Sequence, residues 1–262
     1  MRTKITILSA VALAAGLLSS NAQVYSANVV GYYNIVTPLG SPGAANVKKN
    51  LISNQLLGAG GSNQVNVVLQ QGLGDSTSQG VDLALWNGAQ YVNYTYYGPT
   101  DSSGAPGFYD GISGLLITNK LKQGEGAFLI NYSGKAITNT IVGEVVQGPI
   151  TNTVAVGKAP YAICVPVSTN IIATFVNIVY GDGLSQKADY NHWNVTSQHF
   201  DQVLNYYGPT DAATTLGAWY GAGDGLDHSF DPAYAPAVGA GFEIVIYGGH
   251  AAYQWVSSFS VQ

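Results

Sequence analysis

The chain has 262 residues, with 9 Lys+Arg against 14 Asp+Glu, and only 9% of its residues are charged. Arg2 is its one arginine. The mature protein therefore has no guanidinium to clamp phosphates or read bases, which excludes nucleic acid, and its acidic balance excludes an anionic membrane surface. The surface is instead neutral and rich in hydrogen-bonding groups, a composition suited to an extracellular setting or to an uncharged polymer.

Residues 1–22 read as a secretory signal peptide. Arg2 and Lys4 supply positive charge, residues 5–18 form an apolar run, and Ser20-Asn21-Ala22 is a small-x-small cleavage site. Cleavage near Ala22 places the protein outside the cytoplasm, secreted, periplasmic or on the outer cell surface. No further apolar segment is long enough to span a bilayer as a helix, so the mature chain has no transmembrane segment. Cys164 is the only cysteine, so no internal disulfide forms, and it reads as a small buried hydrophobe.

Beyond the signal, residues 28–36 are rich in Val, Tyr and Ile and read as a strand. Residues 63–71 predict a helical turn capped by Asn63, and residues 172–180 a second one capped by Asn170, with strand as the alternative that their Val and Asn content allows. Trp86-Asn87-Gly88-Ala89-Gln90-Tyr91 is a hairpin signal, with Asn-Gly favouring a type I′ turn. Residues 127–131 and 137–146 predict a hairpin around Tyr132-Ser133-Gly134-Lys135, and residues 242–247 and 253–261 flank Gly248-Gly249-His250 in the same way.

The hexapeptide Tyr-Tyr-Gly-Pro-Thr-Asp occurs twice, at 96–101 and 206–211. Other landmarks pair in the same order: Trp86-Asn87 with Trp193-Asn194, Gly124-Glu125-Gly126 with Gly239-Ala240-Gly241, and Tyr132 with Tyr247. The chain thus divides into repeat 1 (23–148) and repeat 2 (149–262), with Gly148-Pro149 as the turn between them. The expected fold is all-β: two tandem β-sandwich or barrel-like repeats of about 110 residues, each with at most one short helix.

Asn50-Leu51-Ile52-Ser53-Asn54-Gln55-Leu56, Trp86-Asn87-Gly88, Gly124-Glu125-Gly126-Ala127-Phe128 and Val142-Gly143-Glu144-Val145 follow one another in order. This pattern resembles duplicated, signal-peptide-bearing, β-rich secreted and envelope proteins of environmental Gram-negative bacteria. The resemblance implies export and a β-repeat fold, and carries no catalytic residues.

Candidate chemistry is sparse. Asp189, His192, His199 and Asp201 lie close in a predicted hairpin but match no zinc spacing. Asp224, Asp227 and Asp231 in Gly-rich turns are the calcium candidates, against the alternative that each bonds its own turn. No other cofactor is expected. Glu243, in an apolar strand, and Asp189 are the candidate acids of a hydrolase. The aromatic clusters around the hexapeptides point to ligand binding through Tyr97, Tyr109, Asp101, Tyr207, Asp211, Trp219 and Tyr220, with Tyr94, Tyr96 and Tyr206 beside them. Core packing is the competing reading.

Two functions follow. One is an exported, non-catalytic structural or adhesive component of the envelope or matrix, whose partners are envelope proteins or further copies of itself. The other is a carbohydrate-binding protein whose partner is a neutral polysaccharide. An extracellular hydrolase is the third and least supported.

Overall fold

The computed structural model describes residues 30–43, 46–69, 72–101, 104–146, 148–154, 157–161, 184–212, 217–228, 236–247 and 253–259. The expected signal peptide (1–22), the helical turn expected at 172–180, Cys164, His250 and Asp231 lie outside the described residues.

The N-terminal half contains β1 (Val30–Thr37), β2 (Lys48–Ser53), β3 (Leu56–Leu57), the one-turn helix α1 (Val65–Val68), β4 (Val81–Trp86), β5 (Tyr91–Tyr97), β6 (Gly107–Tyr109), β7 (Gly126–Asn131) and β8 (Ile137–Val145). The C-terminal half contains β9 (Gly148–Val154), β10 (Gly157–Tyr161), β11 (Ala188–Asn194), β12 (His199–Tyr207), β13 (Ala218–Gly221), β14 (Phe242–Ile246) and β15 (Tyr253–Phe259). The protein is all-β, and its strand pairs are antiparallel.

Two five-stranded sheets are wired alike, in the orders β2-β7-β4-β5-β6 and β10-β14-β11-β12-β13. In each, a central hairpin carries a short strand on one side. A strand later in the chain inserts between that hairpin and the earliest strand. The remaining strands form a β1-β8-β3 sheet in the first half and a β9-β15 ribbon in the second.

The expected hairpin between 127–131 and 137–146 does not form. β7 pairs with β2 and β4, whereas β8 pairs with β1 and β3. Burial explains the split. All six residues of β7 are buried, as suits a strand covered on both faces, while Ile137, Asn139 and Ile141 alternate with more exposed neighbours along β8. Asn131 turns the corner between the sheets. Its amide donates to Pro38 O at 2.7 Å and Lys135 O at 2.6 Å, and its Oδ1 accepts from Ser133 N at 3.0 Å. In the second half β14 and β15 likewise belong to different sheets.

Two local expectations also change. Gln64, not Asn63, stands at the N-cap of α1 and makes no side-chain cap. Asn63 instead pairs with Gln123, whose Nε2 lies 3.1 Å from Asn63 Oδ1. The β4–β5 connection is a four-residue loop rather than a type I′ turn. Trp86 pairs with Tyr91, and of Asn87 and Gly88 only the glycine has positive φ. Asn87 Oδ1 closes the loop by accepting from Ala89 N and Gln90 N.

The first core lies between the β1-β8-β3 sheet and one face of β2-β7-β4-β5-β6. Tyr33, Ile35 and Ile141 meet Leu83, Leu129 and Phe108 there. The halves are joined along the free edge of β2. Gly241 N donates to Leu51 O at 2.7 Å and Ser53 N to Gly239 O at 2.9 Å. Gly239 has φ +83°, and a Cβ there would lie 2.7 Å from the Tyr33 ring, so only glycine fits this seam. Phe128 of β7 packs edge-on against Trp193 of β11 at 5.0 Å, which places an aromatic contact across the halves.

Candidate functional site

Each hexapeptide begins at the end of a strand, so its two tyrosines point to opposite faces of the sheet. The first of each pair goes inward. Tyr96 meets Phe108 at 5.6 Å, and Tyr206 meets Trp219 at 5.3 Å. The second goes outward. Tyr97 packs edge-on to Tyr109 at 5.4 Å, and Tyr207 to Tyr220 at 4.9 Å. The sequence reading that made Trp219 a binding residue is therefore corrected: it is 1% exposed and belongs to the core. Tyr109 is also mostly covered, at 8% exposed, and its hydroxyl donates to Ala105 O at 2.6 Å. It backs Tyr97 rather than offering its own face.

The same outer faces carry a polar row in matching register. Asp82 lies opposite Thr95, and Thr95 opposite Tyr109. In the second half Asp189 lies opposite Asn205, and Asn205 opposite Tyr220. A tyrosine from the end of β7 or β14 then reaches each acid. Tyr132 OH donates to Asp82 Oδ1 at 2.9 Å, and Tyr247 OH donates to Asp189 Oδ2. Asn205 Nδ2 donates to Asp189 Oδ1 at 2.9 Å. Each face thus presents an acid held by a tyrosine, a small polar side chain on the next strand, and an edge-on tyrosine pair.

Electrostatics show how these groups are held. Burial, then the charge of Asp82, pushes the Tyr132 phenol above its ordinary value. Burial likewise raises the Asp189 carboxyl above the usual carboxylate range, against the lowering effect of the bonds from Tyr247 and Asn205. The folded protein therefore keeps this proton to higher pH than the unfolded chain. The stabilisation is full below the unfolded value of about 4 and is lost as pH rises through the folded value. Asp189→Asn removes this slope. The melting temperature of the variant relative to the native protein is expected to rise between about pH 3 and about pH 7. A constant difference across that range contradicts the assignment.

On the second face the row opens into a groove of about 610 Å³ lined by Gln186, Asn205, Tyr207, Asp211, Tyr220 and the glycine-rich turn after β13. Three sequence-predicted residues, Tyr207, Asp211 and Tyr220, therefore converge there. Asp101 is exposed at the equivalent turn of the first half. That turn is closed by Asp75, whose Oδ1 accepts from Thr100 N and Thr100 Oγ1, both at 2.8 Å. The sequence reading missed Tyr132, Tyr247, Thr95, Asn205 and Gln186 as site residues. Only the pairing of Tyr132 with Tyr247 in the repeat alignment signalled any of them.

The other candidates do not converge. Among the described residues, no three His, Cys, Asp or Glu side chains are placed to hold a metal ion. His192 Nδ1 lies 3.3 Å from Asp201 Oδ1, while Asp189 faces Tyr247. The Asp224 carboxyl is held below its usual range by the Leu226 N–H and by His228, whose Nε2 lies 3.0 Å from Oδ2. Glu243 is 3% exposed, and its Oε1 accepts from Asn191 Nδ2 at 2.8 Å. Its charge adds to burial in raising the phenol of Tyr91 in the other half.

No family model, curated protein or solved structure matches the chain.

Proposed function

We propose that the chain is an exported, non-catalytic binding protein that holds a neutral glycan on its outer sheet faces and so adheres to a polysaccharide of the envelope or matrix. One observation carries this reading: the same acid–tyrosine bond, polar row and edge-on tyrosine pair recur in the same register on both five-stranded sheets. A sugar ring offers hydroxyls around its rim and flat C–H faces. Tyrosine rings match the faces, and Asn205, Gln186 and Asp211 match the hydroxyls. The sparse charge of the chain suits an uncharged ligand. The shared wiring of the two sheets supports the two-repeat reading, and residues 1–22 support export.

A second reading, a structural component that associates with further copies of itself, has its own observation. Val30, Tyr32, Val36 and Val142 are exposed together on the outer face of β1 and β8, with Tyr32 at 77%.

Electrophoresis through gels containing laminarin, dextran, xylan or galactomannan tests the binding reading. Retardation by at least one polysaccharide is the expected result. Unchanged mobility of the folded protein in all four overturns it.

A further inference from the structure

Among the described residues, three residues other than glycine have positive φ, and all three are glutamines: Gln79 at 54°, Gln186 at 58° and Gln198 at 64°. A side chain in this left-handed region crowds its own backbone, so glycine or asparagine is the ordinary occupant. Gln198 has a structural reason to be there. Its Oε1 accepts from Lys49 N at 2.6 Å and its Nε2 donates to Lys49 O at 2.9 Å, which fastens the two halves together.

Among the described residues, Gln79 and Gln186 make no such side-chain bond. They occupy the same place in the two halves. Gln79 N donates to Tyr96 O at 2.8 Å, and Gln186 N to Tyr206 O at 2.6 Å. Each follows a serine whose hydroxyl accepts from the glycine of the hexapeptide, Ser78 from Gly98 at 2.8 Å and Ser185 from Gly208 at 3.0 Å. Each precedes by three positions the acid of the polar row, Asp82 or Asp189. Both side chains are exposed, and neither carboxamide bonds to a described residue. Gln186 lines the groove with Tyr207 and Tyr220. The backbone here asks for glycine, yet both halves carry a glutamine at this place, and in the second half it shares the groove with the outer tyrosine.

We propose that Gln79 and Gln186 are specificity-determining residues, whose carboxamides read two adjacent hydroxyls of the glycan held at the tyrosine pairs. A carboxamide has one accepting oxygen and one donating nitrogen on the same plane. That matches a vicinal diol in which one hydroxyl donates and its neighbour accepts. This inference rests on the glycan-binding reading.

The test compares the native protein with Q79G/Q186G, Q79N/Q186N and Y207A/Y220A in gels containing whichever of the four polysaccharides retards the native protein most. Glycine relieves the left-handed strain, so Q79G/Q186G is expected to melt at or above the native temperature while its affinity falls about tenfold, the effect of losing two hydrogen bonds. Q79N/Q186N keeps a shorter carboxamide on a tolerated backbone and is expected to fall between the two. If Q79G/Q186G binds as the native protein does while Y207A/Y220A is impaired, the inference is overturned and the glycan reading stands. If the native protein is retarded by none of the polysaccharides, both fall.

Discussion

Replacing Tyr207 and Tyr220 together by alanine is expected to weaken polysaccharide binding by about 30-fold or more, the scale of losing an aromatic anchor from an interface. Both rings are half-buried, stand at the end of β12 and on β13, and lie 4.9 Å apart edge-on. The edge-on pair fixes each ring by the other, so a ligand meets a preformed platform and little side-chain freedom is lost on binding. Their removal takes away that platform but leaves the inner pair of Tyr206 and Trp219 in place. The stability cost is therefore small beside the loss of affinity, about 0.5–1.5 kcal/mol for the edge-on pair beyond its buried area. Tyr97→Ala in the first half is expected to reduce affinity less, since Tyr109 behind it is already covered. Affinity electrophoresis and thermal unfolding of the same samples separate the two effects. Unaltered retardation of a folded Tyr207→Ala/Tyr220→Ala protein removes the aromatic platform from the account.

Trp219→Ala is expected to do the reverse. Trp219 is among the largest fully buried side chains of the described residues, and it packs edge-on against Tyr206 on the inner face of the second five-stranded sheet. Truncation leaves a cavity where an indole stood, at a cost of about 3–5 kcal/mol. A domain of ordinary stability has roughly 5–15 kcal/mol in total, so the variant should lose several degrees of melting temperature and a large part of its denaturant resistance. Polysaccharide affinity per folded molecule should stay near that of the native protein, because Trp219 presents nothing to the outer face. A melting temperature unchanged by the substitution contradicts the burial assigned to this residue.

The contrast between Trp219 and Tyr220 shows how much the sequence could disclose. The repeated Tyr-Tyr dipeptide made the strand end and its turn legible, and strand alternation then sends one tyrosine to each face. Which one faces the core depends on what covers each side of the sheet, and that is a tertiary fact. The same limit governs the false hairpin of β7 and β8. Both segments are apolar and a good turn separates them, yet β7 is buried on both faces and takes β2 and β4 as neighbours instead. Asn131, Tyr132 and Asp82 form contacts that bring together residues about 50 or more apart in the chain, as the Tyr132–Asp82 bond does across a separation of 50. Local periodicity carries no signal for such pairs. In the sequence Glu243 stands out only as a carboxylate in an apolar strand. In the folded chain it is 3% exposed and bonded to Asn191 on the neighbouring strand β11.

The most direct measurement follows the tyrosine ring signals by NMR while the polysaccharide that binds, supplied as soluble oligomers, is titrated into the protein. The account predicts that the ring resonances of Tyr207, Tyr220 and Tyr97 shift together with the side-chain amide signals of Gln186 and Gln79. Tyr32, on the exposed face of β1, should stay unmoved. Shifts confined to Tyr32 and its neighbours, with the five site residues unchanged, would contradict it and place binding on the other face of the molecule.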